Sequence, residues 1–187
     1  MRVIGGYLKG KKILLPIDNT TRPLKDMVRQ SIFNILEHSK NEYINIKNSN
    51  ILDLFSGTGS FGIECISRGA KKVIFFENNQ NSIKILNKNL SLLNLNDFSE
   101  VINQNAYELN NKIVEKQKLD LIFLDPPFKD LNINVILNKI TELKIISKKT
   151  LIIIHRNKKT KENFPENLNI IRENIYGLSK IIFAKII

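Results

Sequence analysis

A carboxylate, two prolines and an aromatic ring, Asp125, Pro126, Pro127 and Phe128, close the apolar run "LDLIFLDPPF". Proline fixes φ and has no N–H to donate, so two in succession make a stiff elbow that projects its neighbours in set directions. A carboxylate and a backbone carbonyl held in this way can accept the two N–H bonds of an exocyclic amino group, while Phe128 stacks on the attached base. Such an amine is a poor nucleophile because its lone pair is delocalised into the ring. Holding its hydrogens in acceptors favours the pyramidal form that attacks a methyl group in line. Catalysis of this kind is positioning plus polar preorganisation, and it needs neither a metal nor a covalent cysteine.

A second constellation lies upstream. In "ILDLFSGTGSFGIE", Gly57, Gly59 and Gly62 spell G-x-G-x-x-G in a turn between an apolar strand and a helix, and Glu77 ends the next apolar run 20 residues after Gly57. Glycine lets the backbone approach a ligand closely, and an acid at that distance can accept both ribose hydroxyls of a nucleoside. Dinucleotide oxidoreductases share the pattern, so NAD and S-adenosylmethionine both remain candidates on the glycines alone. Two features favour S-adenosylmethionine. Asp53 sits inside the strand before the glycines, where an acid suits the amino-acid end of a cationic sulfonium better than a pyrophosphate, and 187 residues leave no room for a separate substrate domain. Asn105 and Ala106, after the third strand, are placed by chain order where an adenine ring would lie.

The elements that must hold these groups follow from periodicity. Residues 1–47 read as an extension: "RVIGGYLKGKKILLP" as a β-hairpin turning near Gly10, then a helix with Val28, Ile32, Ile35 and Leu36 on one face. Residues 48–187 alternate short apolar strands with helical stretches, including one through Ile83, Leu86, Leu90 and Leu93, one around 106–117 and one near 131–144. Regular β–α alternation predicts an α/β, Rossmann-like fold, a mainly parallel sheet with helices on both faces. The last two strands, joined near Gly177, should pair antiparallel.

Composition sets outer bounds. An apolar content of 42% is enough for a sizeable core. The N-terminus lacks a signal-peptide apolar region, and no run reaches the ~18 residues of a membrane span, so the expectation is a soluble, cytoplasmic protein. One cysteine, Cys65, and two histidines leave no multi-cysteine or zinc site, and Cys65 reads as a small core residue. The net charge of +11 is unevenly spread: +5 over residues 1–31, −1 over 32–138 and +7 over 139–187. Basic ends around a neutral middle suit a polyanion such as nucleic acid, although a solvated lysine surface would look the same.

"DLFSGTGSFG", "FFEN" and "DPPF", in this order and spacing, resemble the S-adenosylmethionine-dependent methyltransferases that modify exocyclic amines. "MRVIGGYLKGKKI", "TRPLKDMVRQSIFNIL" and "YGLSKIIF" resemble the RsmD family, bacterial enzymes that methylate guanine N2 in 16S ribosomal RNA, and the resemblance covers nearly the whole chain. It implies a seven-stranded class I methyltransferase sheet whose last strand is antiparallel, and a substrate of 16S rRNA within a partly or fully assembled 30S subunit, met by a monomer. It implies a cofactor site at Asp53, Phe55, Ser56, Gly57, Thr58, Gly59, Glu77, Asn78, Asn105 and Ala106, and a catalytic elbow at Asp125, Pro126, Pro127 and Phe128. An RNA-facing segment is implied at Arg2, Lys9, Lys11, Lys12, Arg22 and Arg29. Gln30 and Asn79 stand where the family usually carries acids, and His155 closes a strand where an acid is frequent, so no role is assigned to it. A DNA or RNA adenine-N6 methyltransferase would share every core motif. An NAD-dependent oxidoreductase or a non-catalytic nucleotide-binding module would share the glycine turn.

Overall fold

The parallel strand runs are buried on both faces, and each therefore alternates between two apolar layers. A computed structural model describes residues 1–16, 24–38, 43–114, 118–143 and 145–187. Its strands are β1 (Asn50–Leu54), β2 (Lys72–Glu77), β3 (Ser99–Asn103), β4 (Leu121–Leu124), β5 (Leu151–Asn157), β6 (Leu168–Tyr176) and β7 (Ser179–Ile186). Its α-helices are α1 (Asp26–His38), α2 (Ser60–Ser67), α3 (Gln80–Leu92), α4 (Asn111–Val114) and α5 (Ile133–Thr141). The strands form one sheet in the order β3-β2-β1-β4-β5-β7-β6. β1 to β5 pair in parallel, and β7 pairs antiparallel with both β5 and β6. This is the predicted Rossmann-like α/β sheet with its antiparallel last strand. Among the described residues no helix is long and apolar enough to cross a membrane.

The alternation sorts the core into two clusters. Ile51, Val73, Phe75, Leu121, Phe123, Leu151, Ile153, Ile181 and Phe183 lie in one, Leu52, Leu54, Ile74, Phe76, Ile122, Leu124, Ile152 and Ile154 in the other. Continuing the first row by two residues reaches Glu77, Asp125 and His155 at the C-terminal ends of β2, β4 and β5. Asp53 belongs to the same row within β1, and Ser179 belongs to it at the start of antiparallel β7. The chemistry-bearing side chains thus share one face at one edge of the sheet.

That face is covered by α1, α2 and the N-terminal segment, whose Val3, Leu8, Ile13, Val28, Ile32 and Phe33 belong to its core cluster. Every residue of α2 is buried because the helix is enclosed by the sheet and by this segment. A stack of rings crosses the layer, Phe33 on Phe61 at 5.3 Å and Phe61 on Phe123 at 3.8 Å. Cys65 is buried on α2 as expected.

The N-terminal hairpin forms through the Arg2–Lys12 bridge and the bonds of Val3 N–H to the Lys11 carbonyl (2.9 Å), Gly10 N–H to the Val3 carbonyl (2.9 Å) and Ile13 N–H to the Met1 carbonyl (3.0 Å). Its loop is bound by α2. The buried Glu64 carboxylate accepts the N–H groups of Ile4 (2.8 Å) and Gly5 (2.7 Å), and Ser67 receives Tyr7 N–H on its carbonyl (2.9 Å) and Leu8 N–H on its hydroxyl (3.0 Å). Gly6 has φ 71°, and a Cβ there would overlap the Ser67 carbonyl, so only glycine allows this approach. The helix expected around 106–117 is broken into a 3₁₀ turn, Ala106–Glu108, and the single turn α4. The buried Leu109 lies between them with ψ 130°, outside the helical region; residues 115–117 lie outside the described residues.

Glu64 also bonds Arg68, at 2.9 Å to both Nε and Nη2, and carries no exposed side-chain surface. Removing one partner from such a buried charged cluster leaves the other uncompensated and costs about 3–5 kcal/mol. Glu64→Ala is therefore expected to lower unfolding free energy by that amount in urea titrations and to expose the bond after Arg2 to limited trypsin digestion. An unchanged midpoint would remove Glu64 from its role as the anchor of the N-terminal segment.

Candidate active site

β1 and β4 are neighbours although α2, β2, α3, β3 and α4 lie between them in sequence, and Leu54 pairs with Leu124. The turn after β1 and the elbow after β4 consequently emerge side by side, where ligands bind in open α/β sheets. Between them opens a cavity of about 470 Å³, in the size range of ligand clefts. Its walls include Asp53, Phe55, Ser56, Gly57, Thr58, Glu77, Asn78, Asp125, Pro126, Pro127 and Phe128. Both predicted constellations therefore face one space.

The glycine turn is built by its hydrogen bonds. Ser56 N–H reaches the Phe76 carbonyl at 3.0 Å, and Glu77 accepts Gly57 N–H at 2.7 Å on one oxygen and the N–H groups of Asn78 and Asn79 at 2.9 Å on the other. A ribose diol entering at Glu77 would share or displace these donors. Gly59 is not part of the cavity wall. It starts α2 at φ 84°, with a Cβ position blocked by Leu86, and so serves the turn's shape. From behind, the buried amide of Asn89 on α3 binds the carbonyls of Thr58 (3.1 Å) and Leu14 (3.1 Å).

Asp53 is 1% exposed and lines the cavity. Its Oδ2 accepts Gly62 N–H at 3.0 Å, while Oδ1 is buried without a hydrogen-bond partner. Burial pushes the carboxyl well above the usual carboxylate range, with Asp125 and Glu77 adding repulsion and the Gly62 N–H opposing it. An orphaned buried acceptor in a ligand cleft fits a cationic ligand group such as an ammonium.

The elbow is clamped from β5. Asp125 Oδ1 lies 2.7 Å from His155 Nδ1, and His155 Nε2 lies 2.9 Å from Ser179 Oγ. The fully buried Arg156 donates to the carbonyls of Pro127 (3.2 Å) and Asp130 and pairs with Glu162. Phe128 is half-buried, its ring edge-on to His155 with centroids 5.2 Å apart. Tyr107 ties the neighbouring loop to the elbow through its hydroxyl on Asp130 (2.6 Å) and meets Phe55 edge-on at 5.9 Å. Burial and the Asp130 carboxylate push that phenol upward, which keeps it a donor.

Some predicted residues fall elsewhere. Asn105 and Ala106 are outside the cavity wall: Ala106 is buried in the second core cluster, and the exposed Asn105 uses its side-chain oxygen to cap Tyr107 N–H at 3.1 Å. Arg29 is corrected outright. It is 0% exposed, its guanidinium binding the carbonyls of Arg2 and Ser60, the Met1 sulfur and the Asp26 carboxylate, and burial lowers its pKa. A side chain so enclosed has no surface to offer a phosphate. Arg2, Lys9, Lys11 and Lys12 are exposed, and Arg22 lies outside the described residues.

The cavity also has walls that motif reading overlooked, namely Leu24, Lys25, Ser60, Phe61, Asn79, Phe123, His155 and Ser179. Leu24 and Lys25 bring the start of α1 to the site.

The chain matches the family model described as conserved hypothetical protein 95 over residues 1–185. It is 32% identical to ribosomal RNA small subunit methyltransferase D of Haemophilus influenzae across 95% of this chain and 90% of that protein. The chain belongs to the RsmD family. Among solved structures, the candidate methyltransferase yhhF of Escherichia coli superposes with a TM-score of 0.80 at 26% identity, covering 100% of this chain and 97% of that one. An RNA methyltransferase of Salinibacter ruber, solved in complex with S-adenosyl-L-homocysteine, shares the fold with a TM-score of 0.64 at 14% identity, over 88% of this chain and 94% of that chain. The Rossmann-like architecture of this RsmD-family member is thus that of methyltransferases.

Asp53 makes a pH signature. Because its folded-state pKa is raised, the folded protein holds this proton more tightly than the unfolded chain. The stabilisation is present at low pH and is lost as pH rises from the ordinary Asp value of about 4 through the raised one. Asp53→Asn should therefore gain stability relative to the parent as pH rises from about 4 to 7, read from denaturant midpoints. A cationic ligand at Asp53 should narrow that gap, and a difference independent of pH would show that Asp53 does not titrate between the two states.

Proposed function

We propose that this chain transfers a methyl group from S-adenosylmethionine to the exocyclic N2 amine of a specific guanine in 16S ribosomal RNA. The observation that carries the reading is that one cavity is lined both by the orphaned carboxylate of Asp53 with the glycine turn and by the Asp125–Phe128 elbow. S-adenosylmethionine supplies an electrophilic methyl group on a sulfonium. Asp53 would hold its ammonium, Gly57, Thr58 and their neighbours would shape the channel around it, and Glu77 would meet its ribose. Asp125 and the Pro126 carbonyl would take the two amine hydrogens, with Phe128 stacked on the base, so that the nitrogen lone pair points at the methyl carbon.

A buried carboxylate at Asp53 would repel a pyrophosphate, which weighs against the NAD alternative. The Haemophilus relative is named for the small-subunit ribosomal RNA, which supports that RNA as substrate, and guanine rather than adenine is what the resemblance to the RsmD family implies. Lys25 at the cavity, with the exposed Arg2, Lys9, Lys11 and Lys12, would contact phosphates of the RNA, naked or within the 30S subunit.

The test is transfer of labelled methyl groups to undermodified 30S subunits and to naked 16S rRNA, followed by mapping of the modified base. Methylation of adenine, or of DNA in preference to RNA, would overturn the assignment. Asp125→Ala should abolish transfer while leaving S-adenosylmethionine affinity within about twofold, and loss of cofactor binding instead would show the elbow to be misassigned. RNA affinity should fall steeply with salt. Replacing Arg2, Lys9, Lys11 and Lys12 by alanine should flatten the log–log slope by about 0.7–0.9 for each phosphate left unneutralised. An unchanged slope would move the RNA grip elsewhere on the surface.

A further inference from the structure

We propose that His155 is a positioning residue for Asp125, its imidazole held on the far side by Ser179. The role rests on the reading of the elbow as an amine-methylating site.

An ionised carboxylate is an acceptor only, so the ring nitrogen 2.7 Å from Asp125 Oδ1 must carry the hydrogen. With Nδ1–H donating to Asp125, Nε2 has a free lone pair, and the group it faces at 2.9 Å is the Ser179 hydroxyl, which can donate. Asp125 selects this tautomer, and the Ser179 hydroxyl, which can donate or accept, is compatible with it. His155 is 4% exposed and Ser179 2% exposed, so water does not compete for these bonds, whereas the Asp125 side chain keeps 20% of its surface.

Serine, histidine and aspartate in this chain of contacts match the residue types of a hydrolytic triad, with the order of use reversed. In a hydrolase the buried acid orients the histidine and the serine meets the substrate. Here the serine is the buried end, and the carboxylate is the more exposed one. The relay therefore orients the acid.

Asp125 follows two-residue alternation off the end of β4, beyond the last strand pairing, Leu124 with Ile154. Its carboxylate would otherwise rotate. Holding Oδ1 on the imidazole leaves Oδ2 directed to a single amine N–H. When the nitrogen bonds the methyl carbon, the carbon–sulfur bond breaks and its electron pair stays on sulfur. The surplus amine proton passes to Asp125 Oδ2 and then to solvent through the exposed part of the carboxyl group. His155 keeps its Nδ1 proton throughout.

The full chain holds two histidines, and His38 is exposed, so ¹⁵N spectra of the imidazoles can be assigned with one variant. His155 is expected as the Nδ1–H tautomer in the parent protein, with that preference lost in Asp125→Ala. In methyl transfer, His155→Leu should lower kcat about 100-fold while KM for RNA and cofactor affinity stay within about twofold. His155→Asn, whose side-chain N–H replaces Nδ1–H, should recover most of the loss. In an Asp125→Asn background, His155→Leu should add little. An Nε2–H tautomer, or a parental kcat in His155→Leu, would overturn the proposal. A parent protein with the expected tautomer that transfers no methyl to RNA would overturn the elbow reading and the role together. Normal transfer by both parent and His155→Leu would overturn the role alone.

Discussion

The pairing of β1 with β4 is the constraint on which the site depends. Sheet order reverses at this point: β2 and β3 extend outward from one side of β1, and β5, β7 and β6 from the other side of β4. Helices and turns leave the two central strands in opposite directions and open the crevice in which a ligand can sit. Asp125 N–H still reaches the Leu54 carbonyl at 3.3 Å, so the elbow begins where the last interstrand bond ends. From there Arg156 takes over, holding Pro127 and Asp130 by their carbonyls. The elbow is a continuation of the sheet by side-chain hydrogen bonds. Its rigidity comes from β5 as well as from proline.

The same crevice is closed from above by the N-terminal segment, and here the controlling group is a buried acid. Glu64 on α2 takes two backbone N–H groups from the loop of the N-terminal hairpin. These bonds satisfy donors that would otherwise be buried without partners. Leu24 and Lys25, ahead of α1, stand in the cavity wall, so the segment proposed to grip RNA also forms part of the pocket.

Most of the sheet was legible because parallel strands bury both faces and read as apolar runs between helical stretches. "KVIFFE", "LIFL" and "TLIIIH" are such runs, and Asp125 and Glu77 stood out as polar residues at their ends. His155 ends a run in the same way, and two-residue alternation places it, with Ser179, in the row that contains Asp125. That signal was present, but a lone histidine has no motif until the sheet order sets β5 beside β4. Strand order depends on contacts distant in sequence, and local periodicity does not encode it. The N-terminal hairpin was legible from its alternation, but the binding of its loop to Glu64 and Ser67, about 60 positions away, was not, because that too is a contact distant in sequence.

The arginines carry the most instructive reversal. In a chain with 23 lysines and six arginines, the family resemblance implied an RNA-facing role for Arg29. Arg29, Arg68 and Arg156 instead each join several acceptors inside the fold: carbonyls for Arg29 and Arg156, carboxylates for Arg68. A planar guanidinium with five donors can satisfy divergent partners at once, and it is less strongly hydrated than an ammonium, so burying it costs less. Lysine has neither property. Three of the six arginines thus serve internal junctions, between the N-terminal segment, α2 and the elbow. Lysines are left to carry most of the positive charge at the surface. Any electrostatic grip on a polyanion then falls chiefly to flexible point charges, which supply attraction without reading sequence.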